Sequence, residues 1–261
     1  MGEQHKQVSE AEPRTVGAVQ TTLDIIDLLH QRDGAGVTEL SEELDLSKGT
    51  VHSHLATLYK NEYLIKNGDE YNLSLRYLHL AETVRDRLGF YDVVREEVDE
   101  LAAESGELSQ FATEEHGRAV YIYKAKGDKA VETASSVGKR EFLHCISLGK
   151  AMLAHYSESY VDEIIDEYGL PGFTDTTVTS RDDLFENLAE IRERGYAIDN
   201  EERIDGLRCV AAPVLHNDGT VLGAVSLSGP SSRMIGERFD EELPSMVVRA
   251  ANVIEINSQY S

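Results

Sequence analysis

The sequence predicts an α+β protein in two parts: an N-terminal winged helix-turn-helix and a C-terminal domain on an antiparallel sheet. Two observations carry this. Residues 16–73 read, in order, as a helix, a helix–turn–helix pair and a short hairpin. Beyond Gly106 the apolar alternation comes in paired runs joined by tight turns, with amphipathic stretches between them. That is the pattern of hairpins with interspersed helices rather than of a doubly wound sheet.

Each element has its own signal. Residues 1–14 are polar and read as a flexible N-terminus. Val16, Val19, Leu23, Ile26 and Leu29 recur at helical spacing, and Asp33-Gly34-Ala35-Gly36 ends that helix. Thr38 is placed to cap a short second helix with Leu40 and Leu44 inward, and Ser47 a third with Val51, Leu55 and Leu58 as its stripe. Asn67-Gly68, between Tyr63–Lys66 and Asp69–Leu73, suits a type I′ hairpin. Residues 15–74 thus form one domain. A helix starting at Ser74 with Leu75, Leu78 and Val84 supplies a linker over 75–89. The second domain, 90–261, opens with a helix carrying Val93, Val94, Val98 and Leu101. A hairpin of Leu108–Glu115 and Arg118–Ala125 follows, then a strand over Ala130–Ser135. Helices are expected over Ser147–Tyr156, Ser157–Tyr168 and Ser180–Arg194. Strands are expected over Cys209–Leu215 and Thr220–Ser228, and the last helix holds Leu243, Val247, Ala250 and Ile254.

Composition narrows the class. Of 261 residues, 41% are apolar, a globular share that excludes disorder throughout. The polar start and the lack of a long apolar run argue against a secreted or membrane protein. Cys145 and Cys209 stand 64 residues apart with no CxxC, which fits reduced thiols in a cytoplasm. The net charge of −23 is spread along the chain and suits a surface kept hydrated in concentrated salt.

Against that charge, Leu46 to Asn61 holds no acidic residue, although Glu39, Glu42, Glu43 and Asp45 stand just before it. In a helix-turn-helix the second helix enters the major groove and its N-terminal outward residues meet base edges. Those residues are Lys48, Gly49, Thr50, His52, Ser53 and His54, with Lys48, Lys60 and Lys66 placed for phosphates. The partner this implies is double-stranded DNA. The alternative is a winged helix that binds protein through a face lacking acids.

The chain resembles the IclR family of transcriptional regulators. The resemblance runs through Val37-Thr38-Glu39-Leu40, Leu46–Leu58, Leu148–Ala154, Arg194–Glu202, Gly206–Val214 and Ser226–Pro230, in the family's order from about Val16 onward. The composition is also similar to that of haloarchaeal proteins. The family implies a winged helix, a linker helix and a GAF/profilin-like effector-binding domain, assembled as a homodimer or homotetramer. Its pocket positions fall on Ser147, Leu148, Asp199, Cys209, Ser226 and Ser228, with Ala130 and Thr133 as further members. Gly49 and Ser53 stand where relatives often carry Ser or Arg, so no operator sequence transfers. Chemically, Ser226 and Ser228 sit i, i+2 on one strand and share a face. A helix start near Ser147 offers free N–H groups to a carboxylate, so an organic or sugar acid is the expected effector.

Enzyme readings find little support. Leu148-Gly149-Lys150-Ala151 lacks the upstream glycine and the Ser/Thr of a phosphate loop. Gly34-Ala35-Gly36 follows a helix, and Ser226 and Ser228 lie outside any G-x-S-x-G elbow. His144, Cys145, His155 and Cys209 lack tight zinc spacing, so no metal, cofactor or catalytic residue is expected. Rival accounts are a GAF-like sensor acting through protein contacts and a small-molecule hydrolase.

Overall fold

A computed structural model describes residues 14–132 and 135–260. The expected flexible N-terminus, all but Arg14, and Thr133 lie outside the described residues. The chain forms two compact units that divide between Arg87 and Leu88.

The first unit contains α1 (Gly17–Arg32), β1 (Ala35–Gly36), α2 (Val37–Glu43), α3 (Lys48–Lys60), β2 (Leu64–Asn67), β3 (Glu70–Leu73) and α4 (Arg76–Asp86). The three strands pair antiparallel in the order β1-β3-β2. The core gathers Ile25 and Leu29 of α1, Leu40 of α2, and Val51, Leu55 and Leu58 of α3. The expected α1 stripe is half right. Val16, Val19 and Leu23 are exposed, because α1's buried residues all lie in its C-terminal half. Gly36, not Thr38, occupies the N-cap of α2, and the Glu39 carboxylate accepts the Gly36 N–H at 2.9 Å. The wing register pairs Asn67 with Glu70, so Gly68 and Asp69 form the turn. Gly68 alone of the two has positive φ, 62°, the φ pattern of a type II′ rather than a type I′ turn. Helix α4 falls on the stretch expected as a linker and lies within the first unit; Leu75, Leu78 and Val84 are exposed and α4 buries none of its own residues.

The second unit runs through α5 (Tyr91–Ser105), β4 (Leu108–Glu115), β5 (Arg118–Lys126), β6 (Arg140–Phe142), α6 (Ser147–Leu153), α7 (Glu158–Tyr168) and α8 (Arg181–Arg194). It closes with β7 (Ala197–Asn200), β8 (Leu207–Leu215), β9 (Val221–Pro230) and α9 (Leu243–Asn257), the last entered through a π-helical turn. The six strands form one antiparallel sheet, β6-β5-β4-β9-β8-β7. Alternation sorts its two faces. Phe111, Val210, Val214, Val225 and Leu227 pack against α5 and α9. The other face is lined by small residues, Ala112, Ala119, Ala197, Ala211 and Ala224, and packs on α6, α7 and α8. Those alanines leave room for α6 to lie close. At Gly149 a Cβ would stand 2.1 Å from the Leu143 carbonyl oxygen, so the approach there requires glycine. The architecture is the α+β, GAF/profilin-like one expected.

Two sequence expectations fail here. Residues 130–132 are not strand; the edge strand is β6, too short to show a period. Helix α6 stops at Leu153 rather than Tyr156. By contrast, Ser157 and Ser180 do cap α7 and α8 through their hydroxyls. Among the described residues no helix is long and apolar enough to cross a membrane.

Candidate functional site

The acid-free stretch is helix α3 and its cap. The Ser47 hydroxyl accepts the Thr50 N–H at 3.1 Å and lies 2.9 Å from Thr50 Oγ1, which fixes the helix start. Lys48, Gly49, Thr50, His52, Ser53 and Lys60 are exposed, while Val51, Leu55 and Leu58 point into the core. Ser53 Oγ donates to the Gly49 carbonyl at 2.9 Å, leaving its lone pairs outward. His54 departs from the expected outward set. It is half-buried on the face toward α1, with Nδ1 2.8 Å from Thr22 Oγ1, so it braces α1 against α3. Lys66, exposed on the wing, lies 5.2 Å from the Tyr71 ring centroid.

In the second unit a cavity of about 150 Å³ opens on the small-residue face of the sheet. Six of the expected pocket residues, Ser147, Leu148, Asp199, Cys209, Ser226 and Ser228, line it together. Register explains the gathering. Asp199 pairs with Cys209 and Cys209 with Ser228 across β7, β8 and β9, while Ser226 pairs with Gln110 of β4. Ala130 does not line the cavity, because its segment leaves the sheet before β6. Sequence reasoning missed Gln110, Tyr121, Ser135, Lys139, Glu141, Ile146, Arg203, Ile204 and Leu207. Glu141, Lys139 and Arg203 come from a short edge strand and two loops, which carry no periodic signal.

A segment over residues 201–206 closes one side of the cavity. Left-handed residues bound it, Glu201 at φ 63° and Gly206 at φ 77°. Beneath it Lys150 Nζ donates to Glu202 Oε1 at 2.5 Å, a pair buried on both sides. Thr174 and Thr177 donate to the Glu201 and Glu202 carbonyls at 2.7 and 2.5 Å. Above it Arg203 Nε donates to Glu141 Oε2 at 3.0 Å, and Lys139 Nζ lies 2.8 Å from Glu141 Oε1.

The electrostatics follow from burial. Burial pushes the Asp199 carboxyl up to about 7, and the Glu202 charge adds to this; the Glu202 N–H, donating at 2.7 Å, works the other way. Burial also drives the Cys209 thiol well above its usual range, between Asp199 and Ser228. For Glu141 burial acts upward, but the hydrogen bonds from Lys139 and Arg203 outweigh it and hold the carboxyl below its ordinary value. Among the described residues no group of three or more His, Cys, Asp or Glu could hold a metal ion. His144 is a packed residue with Nε2 3.0 Å from the Pro171 carbonyl oxygen.

Asp199 makes stability depend on pH with a definite sign. Its folded-state value lies above the ordinary 3.8, so folding retains a proton that the unfolded chain releases. The fold therefore loses stability as pH rises from about 4 through 7. Asp199→Asn keeps an acceptor for the Glu202 N–H and removes the charge. It is expected to gain about 2–4 kcal/mol over wild type at pH 8 and little at pH 4. Melting curves of both proteins across that range check this; parallel curves would mean Asp199 is ionised throughout.

Comparison with known proteins agrees with this architecture. Residues 18–68 match the IclR helix-turn-helix domain, and residues 83–256 match the C-terminal domain of the bacterial transcriptional regulator IclR. The chain is 34% identical over 252 residues to a probable HTH-type transcriptional regulator ArcR of Halobacterium salinarum, covering 95% of this chain and 96% of that one. It is 32% identical over 222 residues to the HTH-type transcriptional regulator XynR of Escherichia coli, covering 84% and 88%. An IclR homologue from Microbacterium hydrocarbonoxydans, solved complexed with 4-hydroxybenzoate, shares the fold with a TM-score of 0.80. That match covers 94% of this chain and 98% of that one, at 21% identity. Proteins of this kind are regulators rather than enzymes, which removes the hydrolase reading. The chain belongs to the IclR family of transcriptional regulators, with a helix-turn-helix domain followed by an effector-binding domain.

Proposed function

We propose that residues 15–74 occupy promoter DNA and that a small organic or sugar acid bound within residues 90–261 changes that occupancy through the linker at 75–89. In this reading Gly49, Thr50, His52 and Ser53 face the groove, Lys48, Lys60 and Lys66 hold phosphates, and His54 supports the helix from behind. The working form is a homodimer or homotetramer in a salt-rich cytoplasm, which the acid excess suits. Coupling has a physical handle at the linker's start. The Arg76 guanidinium lies 4.8 Å from the Tyr63 ring centroid, and the Tyr77 ring meets Tyr63 edge-on at 5.7 Å. A turn of α4 thus carries the winged helix with it, altering half-site spacing between protomers.

One observation carries the ligand reading. Ser226 Oγ is buried in the cavity wall and has no hydrogen-bond partner among the described residues. An unsatisfied buried hydroxyl costs about 1–3 kcal/mol, a cost a polar ligand removes. The cavity, at about 150 Å³, matches the volume that holds benzene in an engineered protein, so the ligand has roughly six heavy atoms. Calorimetric titration with two- to four-carbon hydroxy acids and their neutral amides tests this. Acids are expected to bind, and Ser226→Ala and Ser228→Ala to weaken them about tenfold each, roughly 1.4 kcal/mol. Unchanged affinity in both variants would place the ligand elsewhere.

A further inference from the structure

Glu141 lies on β6 and Asp199 on β7, the two outer strands of the sheet. Five strand spacings of about 4.8 Å would set these edges some 24 Å apart on a flat sheet. Yet Arg203, three residues beyond the end of β7, bonds Glu141 through both Nε and Nη2, at 3.0 and 3.4 Å. The curl of the sheet and the 201–206 segment therefore bring its two edges together at the cavity. The junction is held from outside by Phe173, whose ring centroid lies 4.2 Å from the Arg203 guanidinium. Lys139, Glu141 and Arg203 all line the cavity.

The charges at this junction do not cancel. Among the described residues two cations meet one carboxylate here, leaving one positive charge in excess beside the ligand space. Glu141, nearly buried, satisfies Lys139 and two guanidinium nitrogens, while Nη1 of Arg203 bonds to nothing among the described residues. Across the cavity the floor offers the hydroxyls of Ser226 and Ser228 with Asp199, a carboxyl that burial drives toward its neutral form. We propose that Arg203, clamped by Glu141 across the cavity, is the residue that sets effector charge, selecting a monocarboxylate whose hydroxyl end meets the serine floor. This rests on the reading of the cavity as an acid site. It assigns charge selection to a residue that no motif in the sequence marked.

The charge count gives a direct test. The full-length protein is titrated at fixed potassium chloride with three near-isosteric probes: glycerate, its neutral amide, and the dianion tartronate. Wild type is expected to bind glycerate at least tenfold tighter than either of the others. Glu141→Gln raises the excess to two positive charges and still accepts from Arg203; it is expected to shift the tartronate-to-glycerate ratio by tenfold or more toward tartronate. Arg203→Met leaves Lys139 and Glu141 neutral as a pair and is expected to erase the preference for glycerate over its amide. Arg203→Lys, which keeps the charge, retains that preference and controls for lost packing on Phe173. Selectivity ratios within twofold of wild type in both Glu141→Gln and Arg203→Met would overturn the assignment while leaving the acid site standing. Failure of wild type to bind any of the three probes would instead remove the acid-site reading and this inference with it.

Discussion

Replacing Lys150 with methionine is expected to cost the effector domain about 3–5 kcal/mol, the range for breaking a buried ion pair from one side. Lys150 is 1% exposed and its ammonium is bonded to Glu202 Oε1 at 2.5 Å. Glu202 Oε2 is buried with no partner of its own among the described residues, and Oε1 otherwise receives a long 3.4 Å contact from the Asn200 N–H. The methionine side chain would fill the space of the lysine stem but leave that carboxylate uncompensated. The loss is therefore electrostatic, and the double variant Lys150→Met with Glu202→Gln is expected to recover most of it. The chain has no Trp, so denaturant unfolding is followed through its tyrosines, many of which lie in this domain. A loss under about 1 kcal/mol in the single variant would mean that water reaches the pair. Binding should suffer beyond stability, since Glu202 also donates its N–H to Asp199 and holds the segment that carries Arg203.

The sequence made the periodic parts of this molecule legible. In α3 the spacing of Val51, Leu55 and Leu58 and the capping Ser47 specify the helix locally, and the absence of acids marks the use proposed for it. The pocket serines came from the family resemblance, and their i, i+2 spacing on a strand added only that they share a face. What escaped was set by long-range packing. Val16, Val19 and Leu23 have helical spacing, but spacing does not tell how far along α1 the core extends. The Asn67-Gly68 pair reads as a turn, but the register of β2 on β3 moves the turn forward by one residue. His54 looks outward by position in a helix-turn-helix and is drawn inward by Thr22, 32 residues earlier. Arg203 and Glu141, 62 residues apart, meet through the curl of the sheet, which no local pattern encodes.

A decade of salt is expected to change DNA affinity more than any single substitution. Each phosphate contact contributes a slope of about −0.9 to log affinity against log salt. Lys48, Lys60 and Lys66 are the lysines within residues 15–74, and each is exposed. If all three reach phosphates, one protomer carries a slope of about −2.7, and raising potassium chloride tenfold weakens its binding roughly 500-fold. A dimer on two half-sites doubles the slope. Lys48→Ala is expected to flatten it by about 1 per protomer and to weaken all sequences alike. Thr50→Ala and His52→Ala act differently, costing about 1–3 kcal/mol on the operator alone and leaving the slope unchanged. The distinction matters because a protein with 48 acidic residues against 25 basic ones repels DNA over most of its surface. Concentrated salt screens that repulsion as well as the phosphate attraction, so base contacts must carry the discrimination that remains. Fluorescence-anisotropy titrations of operator DNA from about 0.2 to about 2 M potassium chloride separate the two classes of residue. A slope near zero with Thr50→Ala indistinguishable from wild type would show that α3 does not enter the groove, and a face lacking acids would then be left to bind protein.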